Sequence, residues 1–237
     1  MKNTIATIAI VLITMSQLVG QSLSDAFFVE ADQFFGTHVR DGRVDYSAAK
    51  SSSSLQSLVA QIGTVDLSQA SDAEQKAFYI NAYNLLVIYK VTTALPTKSV
   101  MDVDGFFDSA DVEVGRETVS LNQLEKQLLF GKYPDSRLHF VLVCGAIGCP
   151  PIIDSAYRPA QLGAQLDGQT SAAINDESFI TTKNGVVELS QIFNWYSKDF
   201  GDDNQSVISY INKYRKASLS DTAEVQYSEY DWSLNDQ

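Results

Sequence analysis

The sequence predicts an α+β domain in which a helix-rich first half packs on a mainly antiparallel sheet. Three observations carry this reading. Helix-capping signals and apolar residues at helical spacing crowd the first half, and β-prone runs joined by turn dipeptides appear among helices in the second. Strand and helix do not alternate in the regular order of a doubly wound sheet.

Taken in order, the chain opens with Met1-Lys2, an uncharged apolar stretch over 4–15 and small residues up to Ser22. This reads as a secretory signal peptide over 1–22, compatible with cleavage after Gly20 or after Ser22. Its apolar part is shorter than the roughly 18 residues of a membrane span. The expected mature protein, read as a single domain over 23–237, is therefore periplasmic or secreted and has no membrane span after signal removal.

A first helix is expected over about 25–39. Ser51 to Ser54 resemble a linker in composition, yet Leu55, Leu58, Val59 and Ile62 follow at helical spacing and make the run the start or exposed face of a helix. Ser71 with Glu74 forms a capping box opening a helix over about 72–94, which closes before Pro96. Ser120 with Gln123 opens another over about 121–130, a short helix covers 191–198, and Asn204 precedes a last one over about 205–216. Strands are expected at 112–114 and 118–119 around Gly115-Arg116, at 138–143, at 179–181 and 186–189 around Asn184-Gly185, and at 224–227.

Composition excludes some functions. The formal net charge is −12, one unit more negative once Lys2 is removed, and no basic cluster interrupts it. Such a field repels phosphate backbones and anionic lipids, so no nucleic-acid partner is expected. No P-loop, dinucleotide fingerprint or Gly-x-Ser-x-Gly motif occurs, and no cofactor is implied.

Candidate chemistry gathers at 137–151, which holds His139, both cysteines and Pro150-Pro151. Read as a strand, 138–143 places His139 and Cys144 on opposite faces, roughly 16 Å apart at about 3.3 Å per residue. A base for Cys144 would then come from elsewhere, such as His38, or the strand would have to bulge before Gly145. His139 would instead face Asn81, Asn84 or Glu125. Asn81 and Asn84 lie three residues apart on a helix that is otherwise apolar nearly all round, so both amides need partners, either in a structural network or around a catalytic group.

For Cys144 and Cys149, one reading is a disulfide worth roughly 2 kcal/mol in an oxidising compartment. Another keeps Cys144 as a thiolate nucleophile, and a labile bond that opens would join the two readings. The spacing is not that of a Cys-x-x-Cys exchanger. No metal site is expected: His139, Cys144 and Cys149 lack a fourth ligand, and the aspartates of 102–111 miss the EF-hand spacing. Tyr83, Trp195 and Tyr196, with Tyr230 and Trp232 further on, either fill core or wall a groove for a peptide or glycan.

Four motifs in order carry a resemblance: Phe78-Tyr79-Ile80-Asn81-Ala82-Tyr83-Asn84, Ser120-Leu121-Asn122-Gln123-Leu124-Glu125, Arg137 through Gly145 with Cys149-Pro150-Pro151, and Leu189 through Tyr196 with Asp199-Phe200. They are similar to the domain of unknown function 547 family, from about Asp25 onward. The resemblance implies a domain of exported bacterial proteins and larger plant and animal proteins, with no settled activity. It also implies distant similarity to papain-like and transglutaminase-like folds, whose core helix opens with a cysteine and whose histidine lies on a following strand. Here that helix carries Asn81 and Asn84, and Lys126 stands where the family often has histidine.

On this basis the expected function is thiol-dependent acyl transfer or hydrolysis, or an inactive descendant of it. Cys144 would attack, His139 or His38 would move the proton, Asn81 or Asn84 would orient the imidazole or the oxyanion, and Glu125 would support the histidine. The alternative is a non-catalytic extracytoplasmic module that binds a peptide, protein or glycan, with the Cys144–Cys149 loop as a rigid rim.

Overall fold

The computed structural model describes residues 21–237, so the signal peptide expected at the start lies outside the described residues as far as residue 20. The first half is a helical stack. Strand β1 (Gln21–Ser22) leads to α1 (Asp25–His38), the ribbon β2 (Val39–Arg40) and β3 (Arg43–Val44), and helices α2 (Tyr46–Lys50) and α3 (Ser53–Thr64). Strand β4 (Val65–Asp66) pairs in parallel with β1 and precedes α4 (Asp72–Ala94).

Helix α4 starts where its capping box predicts. The Ser71 amide donates to Glu74 Oε2 at 2.7 Å, and the Glu74 amide donates to Ser71 Oγ at 3.3 Å. Its residues from Ala77 to Ile88 are buried apart from half-buried Tyr79, so it crosses the core as its apolar circumference requires. No helix among the described residues is long and apolar enough to cross a membrane.

A ribbon follows, β5 (Val112–Val114) and β6 (Glu117–Val119), then the single turn α5 (Leu121–Gln123) running into a π-helix over Leu124–Phe130. A 3₁₀ helix over Ser136–Phe140 and a long irregular loop lead to α6 (Leu162–Ile174). The last part holds β7 (Ile180–Lys183), β8 (Val186–Leu189), α7 (Gln191–Trp195), α8 (Ser197–Phe200), α9 (Asn204–Asn212) and β9 (Glu224–Tyr227). Asn184 and Gly185 have φ of +54° and +82°, the left-handed pair of a tight hairpin, and join β7 to β8 as expected.

The α+β class holds, but no single sheet organises it. Among the described residues the strands form three two-stranded ribbons and one three-stranded sheet, β7-β8-β9, in which β9 runs parallel to β8. Two apolar clusters replace the expected layer. One packs α1 to α4 with the ribbons, around Phe34, Phe78 and Leu85, and the other packs β7, β8 and α7 to α9, around Ile180, Phe193 and Ile211. The 3₁₀ helix Ser136–Phe140 lies on their seam, with Leu138 in the first cluster and Phe140 in the second.

The tail after β9 closes that seam. Ile147 and Gly148 amides donate to Ser233 and Asp231 carbonyls at 2.8 Å, and Leu234 donates to Lys98 at 2.9 Å. The tail therefore runs between residues 98–99 and 145–148, pairing with both.

Three expectations need correction. The strand expected at 138–143 is the 3₁₀ helix: Asp135 accepts from the Arg137 amide and starts a helical turn, and the backbone beyond it bonds a side chain instead of a neighbouring strand. The last helix is capped by Asp203, whose carboxylate accepts from Ser206, and the helix expected at 191–198 divides at Tyr196. Helix α6 was not expected because Gly163 and Gly168 interrupt its pattern.

Candidate functional site

The seam encloses a cavity of about 220 Å³. Helix α4 supplies Tyr83, the π-helix Glu125, the 3₁₀ helix His139, α7 Trp195 with Tyr196 after it, and the tail Tyr230 and Trp232. Cys144, Cys149, Asp108 and Asn122 line it too. A wider cleft of about 730 Å³ shares Glu125, His139 and Tyr196 with the cavity, so these three form a partition between the two spaces.

His139 is buried between two rings. Phe130 stacks at 4.5 Å and Tyr196 at 4.1 Å, both with 29° between planes, and Nε2 lies 2.7 Å from Asp199 Oδ2. A carboxylate only accepts, so the neutral imidazole donates from Nε2 and keeps Nδ1 as its basic atom. Burial pushes the imidazole below its ordinary value of 6.5, and Asp199 only partly offsets this. The result is a neutral, oriented base near pH 7.

Glu125 behaves in the opposite sense. Burial raises its carboxyl above the ordinary 4.5, against smaller opposing effects from its hydrogen bond with Tyr83 and from Lys126. Burial also pushes Tyr83 well up, with Glu125 adding to it, and Tyr196 is pushed up to about 12 by burial, Glu125 and Asp199. The π-helix widens the backbone where Glu125 projects, a local distortion common at functional sites.

Cys144 and Cys149 are paired at disulfide distance, with Cα atoms 6.4 Å apart, inside the range such a bond spans. The Tyr230 hydroxyl touches both sulfurs, 3.3 Å from Cys144 and 3.1 Å from Cys149. Gly148 permits this approach, because a Cβ there would meet the Tyr230 ring at 2.9 Å.

The structure thus brings His139, Cys144, Glu125, Tyr83, Trp195 and Tyr196 to one cavity. The alternation of faces expected on a strand is absent, because His139 stands on a 3₁₀ helix, and His139 and Cys144 line the same cavity.

Asn81 and Asn84 are placed elsewhere. Asn81 Nδ2 donates to the Ala77 and Tyr157 carbonyls at 2.8 Å and its Oδ1 accepts from the Tyr157 amide at 3.0 Å. Asn84 donates to Val141 and accepts from Val143, both at 2.9 Å. Each amide clamps a passing backbone as a strand neighbour would, and neither touches the imidazole. His38 is buried against Phe34, its Nδ1 without a partner, and does not line the cavity. Among the described residues, no group of three or more His, Cys, Asp or Glu side chains converges to hold a metal ion.

Sequence reasoning did not find the pairing of Asp199 with His139 or the contact of Tyr230 with the sulfurs. Asp199 stands one turn beyond Trp195-Tyr196 and Tyr230 beside Trp232, so the aromatic motifs marked both neighbourhoods without assigning partners.

An α+β domain with an oriented histidine, a buried carboxyl and a sulfur pair around one cavity defines the class. Residues 67–173 match the family described as Protein of unknown function, DUF547. The matched segment runs from the approach to α4 to near the end of α6. Asp199, Trp195 and the tail aromatics lie beyond the matched segment. No curated protein and no solved structure matches this chain.

Proposed function

We propose that this is an exported hydrolase or acyl-transfer domain in which His139, oriented by Asp199, is the general base and Cys144 the nucleophile of its reduced form. The observation that carries the reading is a carboxylate-oriented imidazole lining the same cavity as the Cys144 sulfur. A papain-like or transglutaminase-like core would open its core helix with the nucleophilic cysteine and carry its histidine on a following strand. In this chain Asn81 and Asn84 occupy the core helix, so the reading takes its nucleophile from the loop.

Two equivalents of a small thiol reductant open the Cys144–Cys149 pair, each sulfur gaining a proton while the reductant is oxidised to its own disulfide. The Cys144 proton then passes to His139 as the sulfur attacks an ester or amide carbonyl. The leaving group departs with that proton, leaving a thioester. Water attacks the thioester, gives one proton to His139 and releases the acid, and His139 returns the proton to the sulfur.

Iodoacetamide labelling at pH 7, located by peptide mass spectrometry, tests this. Expected is no label on the oxidised protein, labelling of Cys144 ahead of Cys149 after reduction, and a slowing of at least about tenfold in His139→Ala. Equal reactivity of both thiols, unaffected by His139, would overturn it.

The second reading, a binding module with a rigid rim, is favoured by the sulfurs already being paired beside the aromatic wall. It gains if electrophiles never label the reduced protein selectively while the oxidised form binds a ligand.

A further inference from the structure

We infer that the inner cavity receives an organic ammonium group, held against the faces of Trp195, Tyr230 and Trp232 and balanced by the carboxylate of Asp108. This deepens the proposed function by naming a substrate class, and rests on that reading only in taking the cavity as the site; it does not depend on the thiol chemistry.

The aromatic side is a corner, not a flat platform. Trp195 and Trp232 lie 6.0 Å apart with 24° between planes, and Tyr230 stands 4.8 Å from one and 4.6 Å from the other at 50° and 54°. Centroids this close put the three rings in contact with one another, so a cation meets the ring surface they turn to the cavity and does not sit between them. A sugar ring stacks best on one broad exposed plane. Trp195 is 48% exposed, an unusual position for an indole that served only to fill core.

Charge points the same way. Among the described residues, no lysine or arginine lines this cavity, so an anionic group would find no counter-charge from its lining. Asp108 lines it, held by Asn122 Nδ2 donating to Oδ1 at 2.5 Å. Burial lowers the His139 imidazole, which therefore brings no positive charge near neutral pH, and the Glu125 carboxyl can carry none in either protonation state. The small volume suits a methylated or primary ammonium head better than a long polar chain.

Trp195 and Trp232 are the chain's only tryptophans, so intrinsic fluorescence reads this cavity directly. Oxidised protein is titrated with choline and with its neutral isostere 3,3-dimethylbutan-1-ol. Expected is saturable quenching by choline at least about tenfold tighter than by the alcohol, the margin a cation–π and carboxylate pairing provides. Asp108→Asn should weaken choline about fivefold and leave the alcohol unchanged, and Trp195→Phe, which keeps a ring, should weaken choline less than Trp195→Ala.

Equal affinity for charged and neutral probes, or no saturation by choline below about 100 mM, overturns the inference. Because the oxidised form is used, that failure leaves the thiol mechanism to its own test, and a labelling failure leaves this one standing.

Discussion

Asn84 is worth more to the site than its distance from the chemistry implies. Its amide satisfies the buried Val141 carbonyl and Val143 amide, the backbone linking His139 to Cys144. Removing it leaves two buried polar groups without partners, each costing about 1 to 3 kcal/mol. Asn84→Ala should therefore lower stability by about 3 kcal/mol in urea unfolding, whereas a loss under 1 kcal/mol would mean that water replaces the clamp. The need for partners was legible in the sequence, because polar groups on an all-apolar helix must be bonded. Which partners was not: a side-chain amide mimics a strand edge as readily as it binds an imidazole, and only the third dimension decides between them.

At the scale of elements, long capped helices were the most legible because their signals are local. Helix α4 follows its capping box and its terminal proline closely. The segment after Asp135 misled for the complementary reason: β-branched and aromatic residues mark burial, and burial inside a 3₁₀ helix on a seam looks the same in sequence as burial in a strand. Gly148 is the element-level test of the closing loop. Gly148→Ala would drive a methyl into the Tyr230 ring, and the tail pairing with Ile147 and Gly148 would shift with it. Expected is a loss of about 1 to 3 kcal/mol, with altered tryptophan emission as Tyr230 moves against Trp195 and Trp232. Unchanged emission would show that the tyrosine is not held by this approach.

Over the whole molecule, stability should depend on acid in two steps. Asp135 pairs with Lys76 at 2.6 Å and with Arg137 at 2.7 Å, tying α4 to the turn that carries His139. Burial alone would raise its carboxyl, but these partners outweigh that and hold it well below the usual carboxylate range. A depressed acid stabilises the fold above its unfolded value near 3.8 and loses that contribution as pH falls through and below it, an effect of about 2 kcal/mol.

The imidazoles of His38 and His139 are also depressed, so stability should begin to decline below about 6.5 as the unfolded chain takes up protons first. Glu125, raised in the fold, opposes the decline as it protonates. Urea midpoints measured from pH 8 to pH 2 should show both limbs, and Asp135→Asn should abolish only the more acidic one. Persistence of the more acidic limb in that variant would place the acid sensitivity elsewhere.

The threaded tail has one more implication. Its pairing joins positions distant along the chain, a closure costly in loop entropy and made only when residues 98–99 and 145–148 already stand in place. Releasing that lock returns the closure entropy to the chain. Peeling it back would bare the sulfurs and indoles to reagents while α4 stays wound, giving the interior a door whose amides would exchange with deuterium before the rest.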